Sequence, residues 1–343
     1  MKIRRTEDGV PVEIDGHEGF REWAIGGAGS TVLSLYRRPA LTNTVAIGVD
    51  LAIRYERLLR RGLGSSRKRP HINWHEGGFG PALVLINGFT GSGIAWPTAW
   101  IAQLEKRFRV IRVDNRGTGW SRNAPMPFTI SDMADDIADV LVACGVDGAI
   151  IFGLSMGGMI AQEFAMRHPH RVRGLFLCAT IPPVPDFIAT PHGVGLAASI
   201  VMPPSRDVRR PTREQIRHGV QTLQAFAAPG YQAPDSRLEE FAAQNLVRAT
   251  GRYGAFCQAR AINAWRGPHR LSRIYTPTVI IQGGRDRLVV PANGHRLAEL
   301  IPSAKYIELP EVGHLIPWEA TDTLSQLVLE NSAPRAARPQ SIS

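Results

Sequence analysis

The fourteen residues from Ala149 to Gln162, AIIFGLSMGGMIAQ, restrict the fold of this chain more than any other stretch. An apolar run, Ala149 to Phe152, breaks at Gly153, presents Ser155, passes Gly157 and Gly158 and continues as a helix-like pattern. This is G-x-S-x-G set between a buried strand and a helix. A serine on so sharp a turn has strained backbone, and neighbours carrying a Cβ would collide with it. The helix that follows aims its first N–H groups at negative charge developing beside Ser155. Ser155 is therefore the candidate nucleophile.

Around this stretch the chain repeats a strand–helix grammar. His71–Glu76 is expected as an edge strand, with a glycine turn after it at Gly77, Gly78 and Gly80. Ala82–Ile86 is a buried strand ending at Asn87-Gly88-Phe89, and Trp96–Lys106 suits an amphipathic helix. Phe108–Val113 is the next strand, and Ile130–Ala143 a helix with Ser131 as its cap. Val172–Ala179 follows the elbow helix. Short buried strands alternating with helices specify an α/β fold with a mainly parallel central sheet covered on both faces.

After Thr180 the grammar stops. Residues 181–267 are proline-rich at first and then helical, near Arg213–Ala227, Ser236–Ala249 and Tyr253–Trp265, and read as an inserted helical cap. The sheet resumes with Thr278–Gln282 and Lys305–Leu309, a helix near Asn293–Leu300 lies between them, and a last helix runs from about Pro317 to Leu329. The α/β core is thus residues 71–180 and 268–330. Residues 331–343 are polar and read as a disordered tail.

Residues 1–70 read as an extension outside this core. Asn43 would cap a helix over Thr44–Arg61 whose end, with the linker after it, is basic: Arg54, Arg57, Arg60, Arg61, Arg67, Lys68 and Arg69. Two roles fit it, packing on the core with a solvated basic edge, which is favoured, or peripheral contact with a membrane surface or a protein. The formal net charge of +10 does not by itself specify nucleic acid, because aromatic residues to stack bases are sparse here. No secretory signal and no membrane-spanning run is read, so the expected location is the cytoplasm. Cys144, Cys178 and Cys257 are scattered without ligand spacing, which fits free thiols. Neither a metal nor a cofactor is expected.

An activated serine needs a base, and the base an orienting acid. Asp286 follows strand Thr278–Gln282 in GGRDR, and His314 follows strand Tyr306–Leu309 in PEVGH. Rivals are poorly placed: Asp132, Asp135 and Asp136 among the acids, His295 among the histidines. The backbone N–H groups of Met156 and Phe89 are the expected oxyanion donors, with Gly88 allowing close approach.

From about His71 to Leu329 the chain resembles the α/β-hydrolase superfamily, through GLSMGGMIAQ, DNRGTGWS (Asp114–Ser121), GGRDRLVVP (Gly283–Pro291) and EVGH (Glu311–His314). Within it the resemblance is strongest to enol-lactonases, aclacinomycin-type methylesterases and haloperoxidase-like esterases. It implies a triad of Ser155, Asp286 and His314 under an all-helical lid. The expected activity is cofactor-independent cleavage of a small apolar carboxylic ester or lactone through an acyl-enzyme. Carbon–carbon bond hydrolysis or perhydrolysis on the same fold is the enzymatic alternative, and a non-catalytic binding protein of this fold the other. Asn87 stands where many relatives have histidine. Leu154 stands where carbon–carbon hydrolases usually carry asparagine, and Ser155 excludes the dehalogenases and epoxide hydrolases that need aspartate there.

Overall fold

The computed structural model describes residues 12–13, 21–24, 72–183, 186–193, 195, 210–231, 235–248, 250–267, 271–302 and 304–332. The helix expected over Thr44–Arg61, its basic linker and the tail after residue 332 lie outside these residues.

Nine strands form one sheet in the order β1-β2-β3-β5-β4-β6-β7-β8-β9. They are β1 (Val12–Glu13), β2 (Arg21–Ala24), β3 (Asn73–Gly77), β4 (Ala82–Ile86), β5 (Arg109–Val113), β6 (Ala149–Leu154), β7 (Val172–Cys178), β8 (Thr278–Gly283) and β9 (Ala304–Leu309). From β5 to β9 every pairing is parallel. The pairings β1–β2, β2–β3 and β3–β5 are antiparallel. Several details differ from the sequence reading, among them the last helix, which is two, Ile316–Glu319 and Thr321–Asn331. β3 is not an edge strand, because Arg21–Ala24 pairs with its outer side. The sheet thereby reaches into residues 1–70, where strands this short leave no periodicity to read.

The helices are α1 (Thr98–Leu104), α2 (Ile130–Ala143), α3 (Met156–Arg167), α4 (Arg213–Gln224), α5 (Asp235–Val247), α6 (Gly251–Ala264), α7 (Pro291–Leu300), α8 (Ile316–Glu319) and α9 (Thr321–Asn331). The cap of α2 is Thr129, not Ser131. Thr129 Oγ1 accepts from the N–H of Asp132 at 3.1 Å, and the Asp132 carboxylate accepts from the N–H of Thr129 at 2.9 Å. An acid three residues after the cap makes this reciprocal pair, which Ser131 could not form.

Alternate strand residues feed two separate clusters, so both faces of the sheet are covered. Val84, Ile86 and Ile151 pack with α2 and α3 through Met133, Ile137, Ile160 and Phe164. Leu83, Leu85, Ile150 and Phe152 pack on the other face with Trp100, Leu324 and Val328. That second face holds an aromatic stack. Trp96 lies parallel to Trp318 with ring centroids 6.2 Å apart, and Phe241 lies 3.9 Å from Trp318.

The strand order reverses at β4, which has β5 on one side and β6 on the other. The crevice at the carboxyl ends of strands beside such a reversal is where open α/β sheets bind ligands. The segments leaving β4 and β6 there begin with Asn87 and Ser155.

Beside β3 lies a buried polar cluster. Arg248, just after α5, donates to His75 Nε2, reaches Asp114 Oδ2 at 3.5 Å and stacks on Trp120 at 3.6 Å. Burial, and then the charges of Arg248 and Arg112, push His75 well below the usual histidine range, so it is neutral in the folded protein. The unfolded chain instead binds a proton at this residue below about pH 6.5. Folding stability therefore falls as pH drops through that value, with a slope of up to about 1.4 kcal/mol per pH unit. In urea titrations from pH 7.5 to 5, His75→Gln is expected to lose stability less steeply below about pH 6.5 than the wild type.

Candidate active site

Ser155 is the residue at which β6 ends and α3 begins, with φ 55° and ψ −117°. L-residues rarely occupy this region, and the cost, about 1–3 kcal/mol, must be met by surrounding contacts. Those contacts need glycine on both sides. A Cβ on Gly153 would lie 2.3 Å from the carbonyl oxygen of Gly157, and one on Gly157 only 2.0 Å from that of Ile86. Gly158 packs as closely on Thr180, whose hydroxyl donates to the Ser155 carbonyl at 2.7 Å. The Ser155 N–H donates to the carbonyl of Cys178 on β7 at 2.9 Å.

The loop after β4 lies against this serine. A Cβ on Gly88 would sit 3.3 Å from Ser155 Cβ and 3.9 Å from Ser155 Oγ. Asn87 shapes the loop from within and is 2 % exposed. Its amide nitrogen donates to the carbonyls of Ser92 and Ala95, and its oxygen accepts from the N–H of Gly88 at 2.7 Å. Asn115 donates to the Asn87 carbonyl at 2.9 Å, tying the loop to the one after β5. Asn87 is thus a structural tie for the loop. Among the described residues the N–H groups of Phe89 and Met156 have no hydrogen-bond acceptor, so both are free to donate to a bound group.

The acid and the histidine come from the next two loops. A Cβ on Gly283 would meet the carbonyl oxygen of Gly313 at 2.2 Å, so the segments leaving β8 and β9 run in backbone contact. Asp286 Oδ2 lies 2.8 Å from His314 Nδ1. Asp286 Oδ1 accepts from the N–H groups of Leu288 and Val289, at 2.9 and 2.8 Å, and Oδ2 from Gln282 Nε2 at 3.2 Å. Both residues are buried, Asp286 at 3 % and His314 at 6 % exposure. A carboxylate fixed at Nδ1 leaves Nε2 of the same ring as the nitrogen able to exchange a proton.

Glu319, one turn into α8, was not singled out by the sequence reading. Its carboxylate accepts from the N–H groups of Gly313 and Leu315, the two neighbours of His314, and from that of Ala228, all at 2.8–2.9 Å. Burial pushes its carboxyl upward, against the pull of those three N–H groups and of His314. The His314 N–H itself donates to the carbonyl of Phe226 at 2.9 Å. An acid five residues after a candidate base, on a short helix, was the signal available in the sequence.

The rival residues have other partners. Asp135 pairs with Arg167 and His168, Asp136 with Arg116, and Asp132 caps α2. His295 is exposed, against Tyr306 and Glu308. The cysteines are free; burial pushes the thiols of Cys144 and Cys257 up to about 12, and burial with the charge of Asp286 pushes Cys178 well upward. None is a thiolate nucleophile at neutral pH. No group of three or more His, Cys, Asp or Glu able to hold a metal ion occurs among the described residues, and none of their helices is long and apolar enough to cross a membrane. Phe226, Phe241 and Trp265 are buried in the two core clusters, where they serve packing.

Comparison with known proteins gives the family. Residues 81–321 match the family model of the alpha/beta hydrolase fold. A 2-hydroxy-6-oxononadienedioate/2-hydroxy-6-oxononatrienedioate hydrolase of Burkholderia vietnamiensis is 30% identical over 302 residues, 84% of this chain and 99% of that protein. A pimeloyl-[acyl-carrier protein] methyl ester esterase of Chromobacterium violaceum is 31% identical over 239 residues, 69% of this chain and 88% of that protein. Among solved structures, the enol-lactonase of Burkholderia xenovorans superposes with a TM-score of 0.62 at 25% identity, covering 76% of this chain and 96% of that one. With a parallel sheet reversing at β4, a strained serine at the end of β6 and a family match over most of its length, the chain belongs to the α/β-hydrolase fold family and is a hydrolase.

Proposed function

We propose that this hydrolase cleaves a carboxylic ester or lactone through an acyl-enzyme, with Ser155 as nucleophile, His314 as general base and acid, and Asp286 as the orienting carboxylate. The observation that carries the reading is the buried Asp286–His314 pair at 2.8 Å, on a loop in backbone contact with its neighbour. Asp286 has its lone pairs engaged by two N–H groups and one amide, so it is fixed in place and aimed at Nδ1. That fixes the tautomer of His314 with its acceptor at Nε2.

In this mechanism Ser155 Oγ attacks the carbonyl carbon while His314 Nε2 takes its proton. The carbonyl π pair moves to oxygen, and the N–H groups of Phe89 and Met156 stabilise the oxyanion. Each such donor is worth about 2.7–4 kcal/mol of barrier. Collapse expels the alkoxide, which takes the proton from His314, or opens a lactone to leave a tethered alcohol. Water then repeats the sequence on the acyl-enzyme and frees the acid and Ser155. Helices α4 to α6 act as the cap of the crevice.

Hydrolysis of a carbon–carbon bond is the second reading, favoured by the Burkholderia vietnamiensis relative, whose match spans 84% of this chain. The two readings share the serine and differ in the leaving group, an alcohol in one case and a carbon acid in the other.

Four measurements test the proposal. A p-nitrophenyl ester series from acetate to long acyl chains is expected to be turned over by the wild type and not by Ser155→Ala. Activity on a vinylogous 1,5-diketone without activity on any ester would replace the ester reading by the carbon–carbon one. Asp286→Asn is expected to keep the fold and lower kcat by about a thousandfold or more, because the amide favours the wrong tautomer. Glu319→Gln sets amide donors against N–H groups that now meet a carboxylate. It is expected to lower kcat by about 10- to 100-fold, matching the roughly 1.5–3 kcal/mol of a hydrogen bond to a charged group, and to lower the Tm as well.

A further inference from the structure

Resting on that reading, we propose that Gln258 on α6, assisted by Thr250, is the positioning residue of the oxyanion loop, holding Thr90 so that the adjacent Phe89 N–H faces the reacting carbonyl. The inference starts from Thr90, whose φ is 60°. A β-branched residue in the left-handed region is an outlier that persists only where neighbours over-determine it.

Both backbone polar groups of Thr90 are engaged from the α6 side. Its N–H donates to Gln258 Oε1 at 2.8 Å. Its carbonyl accepts from Thr250 Oγ1 at 2.8 Å. The Gln258 amide has one satisfied orientation only. Its nitrogen donates to the carbonyl of Arg116 at 2.8 Å and to Thr118 Oγ1 at 2.6 Å, so a flipped amide would set donor against donor and acceptor against acceptor. Gln258 is 0 % exposed and bridges the loops that follow β4 and β5.

The helix that presents it is fixed in turn. A Cβ on Gly254 would lie 2.2 Å from the carbonyl oxygen of Gly117, so α6 meets the post-β5 loop backbone to backbone. Cys257, Ala261 and Trp265 are buried in the cluster containing Met156 and Met159, and Trp265 Nε1 donates to Glu163 on α3 at 2.9 Å. Thus α6 is a rigid wall of the catalytic site. Gln258 makes no contact with the reacting atoms in this scheme; it acts through Thr90 and Phe89.

The test compares wild type, Gln258→Met, Thr250→Val, Thr250→Ser and Ser155→Ala. A fluorophosphonate probe measures the attack step without a natural substrate, since Ser155 Oγ displaces fluoride from phosphorus as the phosphoryl oxygen gains charge in the oxyanion site. The expected result for Gln258→Met is a 10- to 100-fold slower labelling rate and an equal fall in ester kcat, with KM within about twofold of wild type. Hydrogen exchange of the peptide containing Gly88–Gly91 should quicken, and Thr250→Ser should keep the rate that Thr250→Val loses. A folded Gln258→Met that labels at the wild-type rate overturns the proposal, whatever its Tm. Should Gln258→Met fail to fold, the Thr250 pair decides: equal labelling by Val and Ser variants overturns it. Wild type that labels no faster than Ser155→Ala sinks the serine mechanism itself, an outcome distinct from loss of the clamp alone.

Discussion

The turn at Ser155 is possible only because backbone meets backbone on both sides of it. Gly153 meets Gly157 and Gly157 meets the end of β4 backbone to backbone, while Gly158 meets the side chain of Thr180. No side chain fits in any of these gaps, so the serine's strain is sustained by the packing of β4, β6, β7 and α3 together. The same contact sets the post-β4 loop against the serine, which is why the reversal of strand order and Ser155 share one crevice. Two further glycine contacts repeat the device, Gly283 on Gly313 for the acid and histidine loops, Gly117 on Gly254 for α6.

Much of this was legible in the sequence because it rests on local pattern. The buried strands β4, β6, β7 and β8 each carry an apolar stretch, and the glycines around Ser155 mark a turn that no other residue type permits. Asp286 and His314 could be singled out because each follows a strand closely and comes after a glycine. The loop chemistry was less legible. Asn87 looked like a departure from a familiar dipeptide, whereas its amide is consumed in tying residues 87–95 together. Gln258 was missed for a related reason: it acts on Thr90, 168 residues away, and one sequence carries no trace of such a pairing. Glu319 left only its spacing from His314, while its bond to Ala228 spans 91 residues.

The strands at the antiparallel end of the sheet show the opposite limit. β1 and β2 are two and four residues long, with no apolar alternation of their own, and only the pairing of β1 to β2 and of β2 to β3 defines them. The aromatic residues of the helical segment showed a different limit. Phe241 and Trp265 were visible as bulky apolar residues, but whether such a ring faces a ligand or a neighbour depends on tertiary packing. Here Phe241 stacks on Trp318, and Trp265 reaches Glu163.

The position of β9 has a consequence for how the protein would lose activity. It is the last strand of the sheet, paired on one side only among the described residues, and Lys305 and Glu308 on it are exposed. Charges on such an edge discourage pairing with another chain, but they also leave the strand with fewer apolar contacts than β4 or β6. Yet β9 delivers His314. His314 therefore follows an edge strand, whereas Ser155 follows a strand at the centre of the sheet. Local opening costs least at such an edge. Gentle heating is then expected to loosen the strand before His314 while the central strands remain folded, so that activity would fall ahead of global unfolding.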